Sequence, residues 1–600
     1  MTNNDAISLA ESIRMDYERR YNQKRALEAQ WKLNANFVAG KQYCRATASG
    51  SIIEQDKRRF WEERAVYNHT ASILETRLAK LAKVRPKITV LPLSPEESAV
   101  KDAKVSSAVI DSACSRLNLG DLISEATMWS ELTGTAFYKI SWDKNRGMVV
   151  GVKDDKEIRE GDVRVDVCPP YEIFPDSIHH RSVERCNSII HAKAVSIAEI
   201  YANWGVNVAG ETDTLNDYSA LTGILMTESP SLEKDYALVL ERFTRPNARY
   251  PLGRYEVVAG GQVLYEGDLP YVNGDNGERD LPFVRQCSTL SPSGFFGTSP
   301  IERAIPVQRA YNAVKNRKHE FMNRIASGVL VVEDGSVDVD ELEEDGLEPG
   351  KIIVYRQGSN LPSFLDAGEI PNDFSQEEDK LMEEMARVSG VSEFMRSTSV
   401  PSAVSGNALQ LLIEQDDSRL AVTADQITSA VKAVGKHMLK LYRQFAGEKR
   451  LSKVVGDEGE MELLYWKASR MEGEVAVSAT PEIGDSFANR RSLILELYKS
   501  GLFDDQSGKT AEHTRRKILQ ALGYSGLNSD HNLERLHEAR AGKENLGKIG
   551  LSVKSYDDHA VHIAEHTAFL LSGEADGEQE KLLEEHIAMH KAAFLQKEEE

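Results

Sequence analysis

The sequence predicts an α+β protein with helix in the majority, and three features carry that expectation. Helical periodicity runs through three long stretches, near 5–38, 300–326 and 407–446. Short β-branched and aromatic runs cluster at 135–170 and 237–287 instead of alternating with helices. That pattern argues for local antiparallel sheets rather than βαβ crossovers. The last 115 residues or so are helical throughout in composition. At 600 residues, the chain is long enough for roughly three to five domains or subdomains.

In chain order, the first helix places Ile13, Tyr17, Leu27, Trp31 and Phe37 among dense charge, with Gly40 as its stop. A second helix spans about 67–83, ending before Pro86 because the residue preceding a proline leaves the α region. KITVLP (87–92) reads as a strand, followed by helices near 96–117 and 122–132. TAFYKISW, GMVVGV and DVRVDVCPP then form one β patch. ALVLERFTR, RYEVVAGGQVLYEG and PFVRQC form another.

Ser299-Pro300-Ile301-Glu302 is a capping box that opens a basic helix to about 326. Pro306 should kink it. That helix carries Arg303, Arg309, Lys315, Arg317, Lys318 and Arg324, and a DNA contact and a solvated or inter-subunit face are equally open for it. A compact β segment follows, with nine acids between Glu333 and Glu348 and no base. Ser375-x-x-Glu378 is a second capping box, for a helix ending at Gly390. Residues 391–406 are small, polar and punctuated by Pro and Gly, hence a loop. Next, Leu409, Leu412, Ile413, Leu420, Ile427, Val431, Val434, Met438, Tyr442 and Phe445 recur at threes and fours. Such a helix of about 40 residues is ~60 Å long, too long for the core of one small domain. MELLYWKA and EVAVSATPEI are short strands before the helical C-terminus.

Composition excludes several classes. No stretch approaches the roughly 20 apolar residues of a membrane span, and the charged N-terminus lacks the apolar stretch of a signal peptide. Five widely spaced cysteines without a CxxC suit unpaired thiols. The net charge of −21 argues against a broad grip on DNA or anionic lipid. Ser507-Gly508-Lys509-Thr510 resembles the end of a phosphate-binding loop, but Phe503 stands where its first glycine is required. No catalytic constellation is present, and no cofactor is expected. His559, His562 and His566, with His586 and His590, fall on helical faces at spacings of three and four. They are the candidates for a metal, with Asp557, Asp558, Glu565 and Glu585 as partners. The expectation is nevertheless a helical interface of satisfied histidines and no metal.

The order of several motifs resembles that of tailed-phage portal proteins, most nearly the podovirus type. They are Trp31…Asn34…Phe37-x-x-Gly40-Lys41-Gln42-Tyr43, Arg85-Pro86-Lys87-Ile88, and Gly297-Thr298-Ser299-Pro300 with Gln308-x-x-x-Asn312. Gly390-Val391-Ser392-Glu393 and Ser405-Gly406-x-Ala408-Leu409-Gln410 complete the set. Tyr43 stands where tryptophan is more usual.

The resemblance implies a ring subunit, expected to be a dodecamer, with wing (1–299), stem helices (300–327 and 372–390) and clip (328–371). It further implies a tunnel loop (391–406), a long wing helix with short strands (407–484) and a helical crown (485–600). Glu393, Arg396, Ser397, Thr398, Ser399 and Arg387 would face the DNA channel. Glu333, Asp334, Asp338, Asp340, Glu341, Glu343, Glu344 and Asp345 would form the clip docking surface. The implied partners are double-stranded DNA passing non-specifically, the terminase large subunit, the tail adaptor, the major capsid protein and scaffolding protein, with no membrane. The implied place is the portal vertex of the virion, after assembly in the host cytoplasm. Twelve copies would carry about −252, an acidic bore past which phosphate slides without sticking. The rival classes are a capsid-internal ejection or scaffolding protein and a metal-dependent hydrolase using the C-terminal histidines.

Overall fold

The charged residues that crowd the first helix do not all face water. In α1 (Asn3–Val38) the Lys24 ammonium is buried and donates to the carbonyls of Pro170, Tyr171 and Ile173 at 2.9, 2.9 and 3.1 Å. It also pairs with buried Glu28 at 3.1 Å. Burial pulls the Lys24 pKa down to about 8, with Glu28 working the other way. Arg20 likewise reaches the Phe174 carbonyl. Buried charge satisfied by backbone oxygens thus fixes this helix against the body of the protein.

The computed structural model describes residues 3–47, 51–55, 57, 62–153, 156–211, 235–272, 274, 277–292, 294–327, 329–340, 352–365, 373–391, 406–446, 450–455, 461–466, 473–477, 494, 496–500, 518, 533–545, 550–554, 556–571 and 577–599. About 52% of the described residues are helical and the strands lie in separate sheets, so the protein is α+β and mainly α. The chain divides into two compact units, Met1–Gly484 and Asp485–Glu600.

In the first unit, a hairpin of β1 (Cys44–Ala46) and β2 (Ile52–Glu54) follows α1. Then come α2 (His69–Leu81), β3 (Ile88–Leu91), α3 (Glu97–Arg116) and α4 (Leu119–Thr133). Asn68 caps α2 by accepting from the Ala71 amide at 3.2 Å. Helix α4 begins three residues before the expected 122, because Asn118 takes the left-handed conformation (φ +49°) that restarts the helix.

The strands from β4 onward are β4 (Thr135–Asp143), β5 (Val149–Lys153), β6 (Lys156–Arg159), β7 (Asp162–Cys168), β8 (Ile173–Pro175) and β9 (Ser188–Ser196). Helix α5 (Ile197–Trp204) precedes β10 (Tyr236–Thr244), β11 (Arg254–Ala259), β12 (Gln262–Gly267) and β13 (Phe283–Cys287). One antiparallel sheet has the order β12-β11-β10-β9-β8. Its alternation is of period two: Leu238 and Leu240 pack under Ala10, Ile13 and Tyr17 of α1, while Ala237 and Val239 pack with Ile200 of α5.

The expectation that β strands pair with their sequence neighbours fails at β13. It joins β4 and β7 in a second sheet, with Phe283 opposite Lys139 and Cys287 opposite Thr135. Phe283, Val284, Gln286 and Cys287 are all buried, Phe283 and Val284 of them in the main hydrophobic core. Similarly β3 pairs across almost the whole unit with β18 (Glu474–Val477).

Helix α6 (Pro300–Ser327) runs through Pro306 as one element, followed by β14 (Val329–Val331), β15 (Ser363–Leu365) and α7 (Asp373–Ser389). The β-branched run at 352–355 forms no strand; Ile352 and Val354 are 85% and 80% exposed. Helix α8 (Gly406–Phe445) has the expected 40 residues. Leu420, Ile427, Val431, Val434 and Met438 are fully buried in the main core with Phe137, Ile140 and Phe283. The side chains of Leu409, Leu412 and Ile413 lie outside the described residues. A hairpin of β16 (Arg450–Val455) and β17 (Met461–Trp466) precedes β18.

In the second unit the described elements are α9 (Leu533–Asn545), α10 (His559–Leu571) and α11 (Gly577–Glu599). Residues 507–510 lie outside the described ones. No described helix is long and apolar enough to cross a membrane. All five cysteines are free thiols.

Gly134 ends α4 at φ +94°, and a Cβ there would stand 2.4 Å from the Gly297 carbonyl oxygen. Gly134→Ala should therefore destabilise the unit by about 2 kcal/mol or more in chemical denaturation, by combining left-handed strain with a backbone clash. Gly120→Ala, with open space around its Cβ position, should not.

Candidate functional site

Helix α6 is held by its amide side chains. Gln308, Asn312 and Asn316 are buried at four-residue spacing and face the extended segment 63–69. The Gln308 amide accepts from the His69 N–H (3.1 Å) and donates to the Tyr67 carbonyl (2.6 Å). Asn312 accepts from the Tyr67 N–H (3.2 Å), and Asn316 both accepts from and donates to Ala65 (3.1 and 3.0 Å). One turn further, Glu320 accepts from the Glu63 N–H at 3.1 Å.

The two sequence motifs meet here. Asn312 donates to Gln42 Oε1 at 2.6 Å, and Gln42 in turn donates to the Phe37 carbonyl at 3.0 Å. Asn34 donates to the Leu132 carbonyl, while Trp31 stacks edge-on to Tyr171 and Phe296. The Tyr43 hydroxyl accepts from Asn316 at 2.6 Å, a role an indole N–H could not fill.

A buried ion pair gathers the ends of the long helices. Arg77 of α2 donates to Glu131 of α4 at 2.5 and 3.4 Å, and to the carbonyl of Ser389, the last residue of α7, at 2.9 Å. Glu131 Oε1 accepts from Ser288 (2.6 Å), whose carbonyl accepts from Thr423 of α8 (3.2 Å). The Glu131 carbonyl accepts from Ser299 (2.6 Å), and Ser299 Oγ caps α6 through the Ile301 N–H (3.0 Å). Arg77 is 5% exposed and Glu131 fully buried, so each charge depends on the other. Beyond Ser389, Gly390 at φ +71° turns the chain out of α7.

Helices α6 and α7 run antiparallel: Lys315 and Lys318 pair with Glu378 at 2.9 and 3.2 Å, and Phe321 meets Phe374. The expected capping box at Ser375 is therefore overturned. The helix already begins by Asp373, Ser375 accepts from Lys318, and Glu378 serves as a cross-helix anchor. Burial opposes ionisation of Glu378, but bonds from Lys315 and Lys318 hold its carboxyl below the ordinary value. The bases of α6 are thus partly absorbed within the chain. Arg309 donates to the Cys44 carbonyl, Arg303 to the Thr298 hydroxyl, and Arg317 is exposed. The Arg324 side chain lies outside the described residues.

Among the sequence-derived candidates, Arg387 lies exposed on α7, paired with Glu383 at 3.4 Å. Glu393, Arg396, Ser397, Thr398 and Ser399 lie outside the described residues, as do Glu341, Glu343, Glu344 and Asp345. Glu333, Asp334, Asp338 and Asp340 are exposed beyond β14; Glu333 accepts from the Asn360 backbone at 3.1 Å. Val331, Ile352, Val354 and Leu361 stand exposed in the same segment.

The C-terminal histidines differ from their expectation. His559, His562, His566, His586 and His590 are all buried, but they are not all satisfied: neither ring nitrogen of His562 has a hydrogen-bond partner among the described residues. Donor atoms of His562, His566, His590 and Glu544 lie within 4.8 Å of one another. Glu544, on α9, was not among the expected carboxylates; its distance in sequence from the histidines hid it. His559 stands outside this group, bonded to His590 at 3.0 Å. Asp558 and Glu585 are exposed. Burial, then the neighbouring imidazoles, push the pKa of His566 down to about 4 and of His590 to about 3. Burial also lowers that of His562.

The motif residues Trp31, Asn34, Phe37, Gln42, Gln308 and Asn312 all position backbone or pack the interior, which defines a structural subunit built to hold long helices in fixed relation. The family model described as phage P22-like portal protein matches residues 14–484, and the protein belongs to that family. It is accordingly a virion component of a bacteriophage, and its family is a structural one whose members form homo-oligomeric rings in the capsid. The matched stretch ends where the first compact unit ends, leaving 485–600 outside it. No curated protein matches the chain.

Arg77→Ala or Glu131→Gln should cost about 3–5 kcal/mol in denaturant unfolding, because each leaves a buried partner uncompensated. Lys318→Ala, at a partly exposed pair, should cost under about 1 kcal/mol.

Proposed function

We propose that copies of this chain, twelve in number, close into a ring at one capsid vertex and form the channel for double-stranded DNA in packaging and ejection. The carrying observation is the antiparallel α6–α7 pair. It is rooted at one end in the Arg77–Glu131 pair and the amide ladder, and joined at the other to a segment of exposed acids and apolar residues. A long lever fixed at its base and tipped by uncovered Ile352, Val354 and Leu361 suits a stem leading to a clip, whose apolar surface neighbouring copies would cover.

In this assignment 1–299 is wing, 300–327 and 372–390 stem, 328–371 clip, 391–406 tunnel loop, 407–484 wing helix and strands, and 485–600 crown. The clip acids Glu333, Asp334, Asp338 and Asp340 would meet the terminase large subunit, which hydrolyses ATP, and later the tail adaptor. The capsid protein and scaffolding protein would surround the wing during assembly in the host cytoplasm. Arg387 and the loop residues Glu393, Arg396, Ser397, Thr398 and Ser399 would line the bore. A ring of twelve carries about −252, so the bore repels phosphate and DNA slides without sequence readout.

The purified chain should give a closed ring of twelve in native mass spectra and electron micrographs. Replacing Glu333, Asp334, Asp338 and Asp340 with their amides should leave the ring intact and lower terminase binding at least about tenfold at low salt, with less effect at high salt. A monomer, or rings whose terminase binding is indifferent to the four acids, would sink the assignment.

A further inference from the structure

The three described helices of the second unit meet around polar atoms rather than an apolar core. Their buried apolar residues are Ala541, Leu583 and Ile587, and none of the five hydrophobic clusters among the described residues includes a residue from them. At the centre stand Glu544 from α9, His562 and His566 from α10, and His586 and His590 from α11, each at most 2% exposed. A buried carboxylate and several imidazoles without full hydrogen bonding are costly unless something else satisfies them.

The distances say what that is. Glu544 Oε2 lies 3.3 Å from His562 Nδ1 and 3.5 Å from His566 Nε2. Yet Glu544 Oε2, both nitrogens of His562 and Nε2 of His566 have no hydrogen-bond partner among the described residues. These separations are too long for good hydrogen bonds. They match the edge of a tetrahedron of nitrogen and oxygen ligands about 2.0–2.1 Å from a zinc ion, which is about 3.3–3.4 Å.

We propose that Glu544, His562, His566 and His590 bind one divalent transition-metal ion of the zinc class, clamping α9, α10 and α11 together. Three neutral imidazoles and one carboxylate form a donor set suited to zinc rather than to calcium or magnesium. His559 holds His590 from behind, Nδ1 to Nδ1 at 3.0 Å, and Nε2 of His590, 3.1 Å from His586 Nε2, would exchange that contact for the metal. Asn545 meets Nδ1 of His566 at 2.5 Å, leaving Nε2 facing the centre. Such outer contacts orient ligand rings.

Of two other clusters of similar composition, one has its histidine fully partnered and the other shares His562 with this site. At Cys168, Glu172 and His191, both nitrogens of His191 are partnered, by Glu241 at 2.7 Å and Glu172 at 3.0 Å, with Lys139 beside them. At His537, Asp557 and His562, Asp557 is engaged by Arg540 at 3.3 Å and by the Lys554 N–H at 2.7 Å.

The test uses the full-length chain without a histidine tag. After loading with Zn2+ and desalting, elemental analysis should find about one zinc per chain, and chelation should lower the temperature at which the metal-bound protein unfolds. Loading the chelated chain with Co2+ should give the intense visible bands of a four-coordinate site. Glu544→Gln combined with His562→Asn should weaken zinc binding at least about 100-fold while helix content by circular dichroism is kept. Zinc well below one per chain, a weak six-coordinate cobalt spectrum, or undiminished binding in the double variant would each overturn the site. Should the variant fail to fold, stoichiometry and the cobalt spectrum of the unsubstituted chain decide alone.

Discussion

The buried pair of Arg77 and Glu131 is the joint on which the first unit depends. Through three hydrogen bonds it touches the end of α7, the cap of α6 and the exit of β13, and through Ser288 it reaches the flank of α8. These elements come from two stretches, 283–327 and 373–445, both far in sequence from Arg77 and Glu131. A buried charge tolerates little misplacement, because losing its counter-charge exposes it to the full penalty of desolvation. The pair therefore imposes a common position on four elements that apolar packing alone would leave free to slide.

Much of the fold was legible because it rests on local patterns. The forty residues of α8, the stop at Gly390 and the start of α6 at Pro300 all follow from periodicity and capping. What was hidden lies in pairings between distant segments. Strand β13 left its neighbours for β4, and β3 found its partner nearly four hundred residues away. Neither pairing has a local signature, since a buried strand reads alike whichever partner it takes. Ser375 and Glu378 have the right spacing for a cap but serve a different purpose. The two lysines opposite them, visible only in three dimensions, decide the matter.

The sites were legible to different depths. The portal motifs placed Asn312 and Gln42 on separate stretches, and only the folded chain shows that each is the other's hydrogen-bond partner. Histidine spacing foretold that α10 and α11 would each present imidazoles on one face. It gave no sign of Glu544, whose helix contributes a single donor and so has no periodicity to reveal it.

The amide ladder on α6 has a mechanical corollary. Residues four apart advance about 40° around a helix at each step, so Gln308, Asn312, Asn316 and Glu320 trace a slow spiral and the strap at 63–69 must wind with it. A wound strap resists torsion: rolling the helix about its own axis would tear the rungs successively. Tilting helix and strap together leaves every rung intact. Any working stroke of this rod is thereby biased toward rocking as one piece with its wrapping, and twist is the motion its stitching forbids.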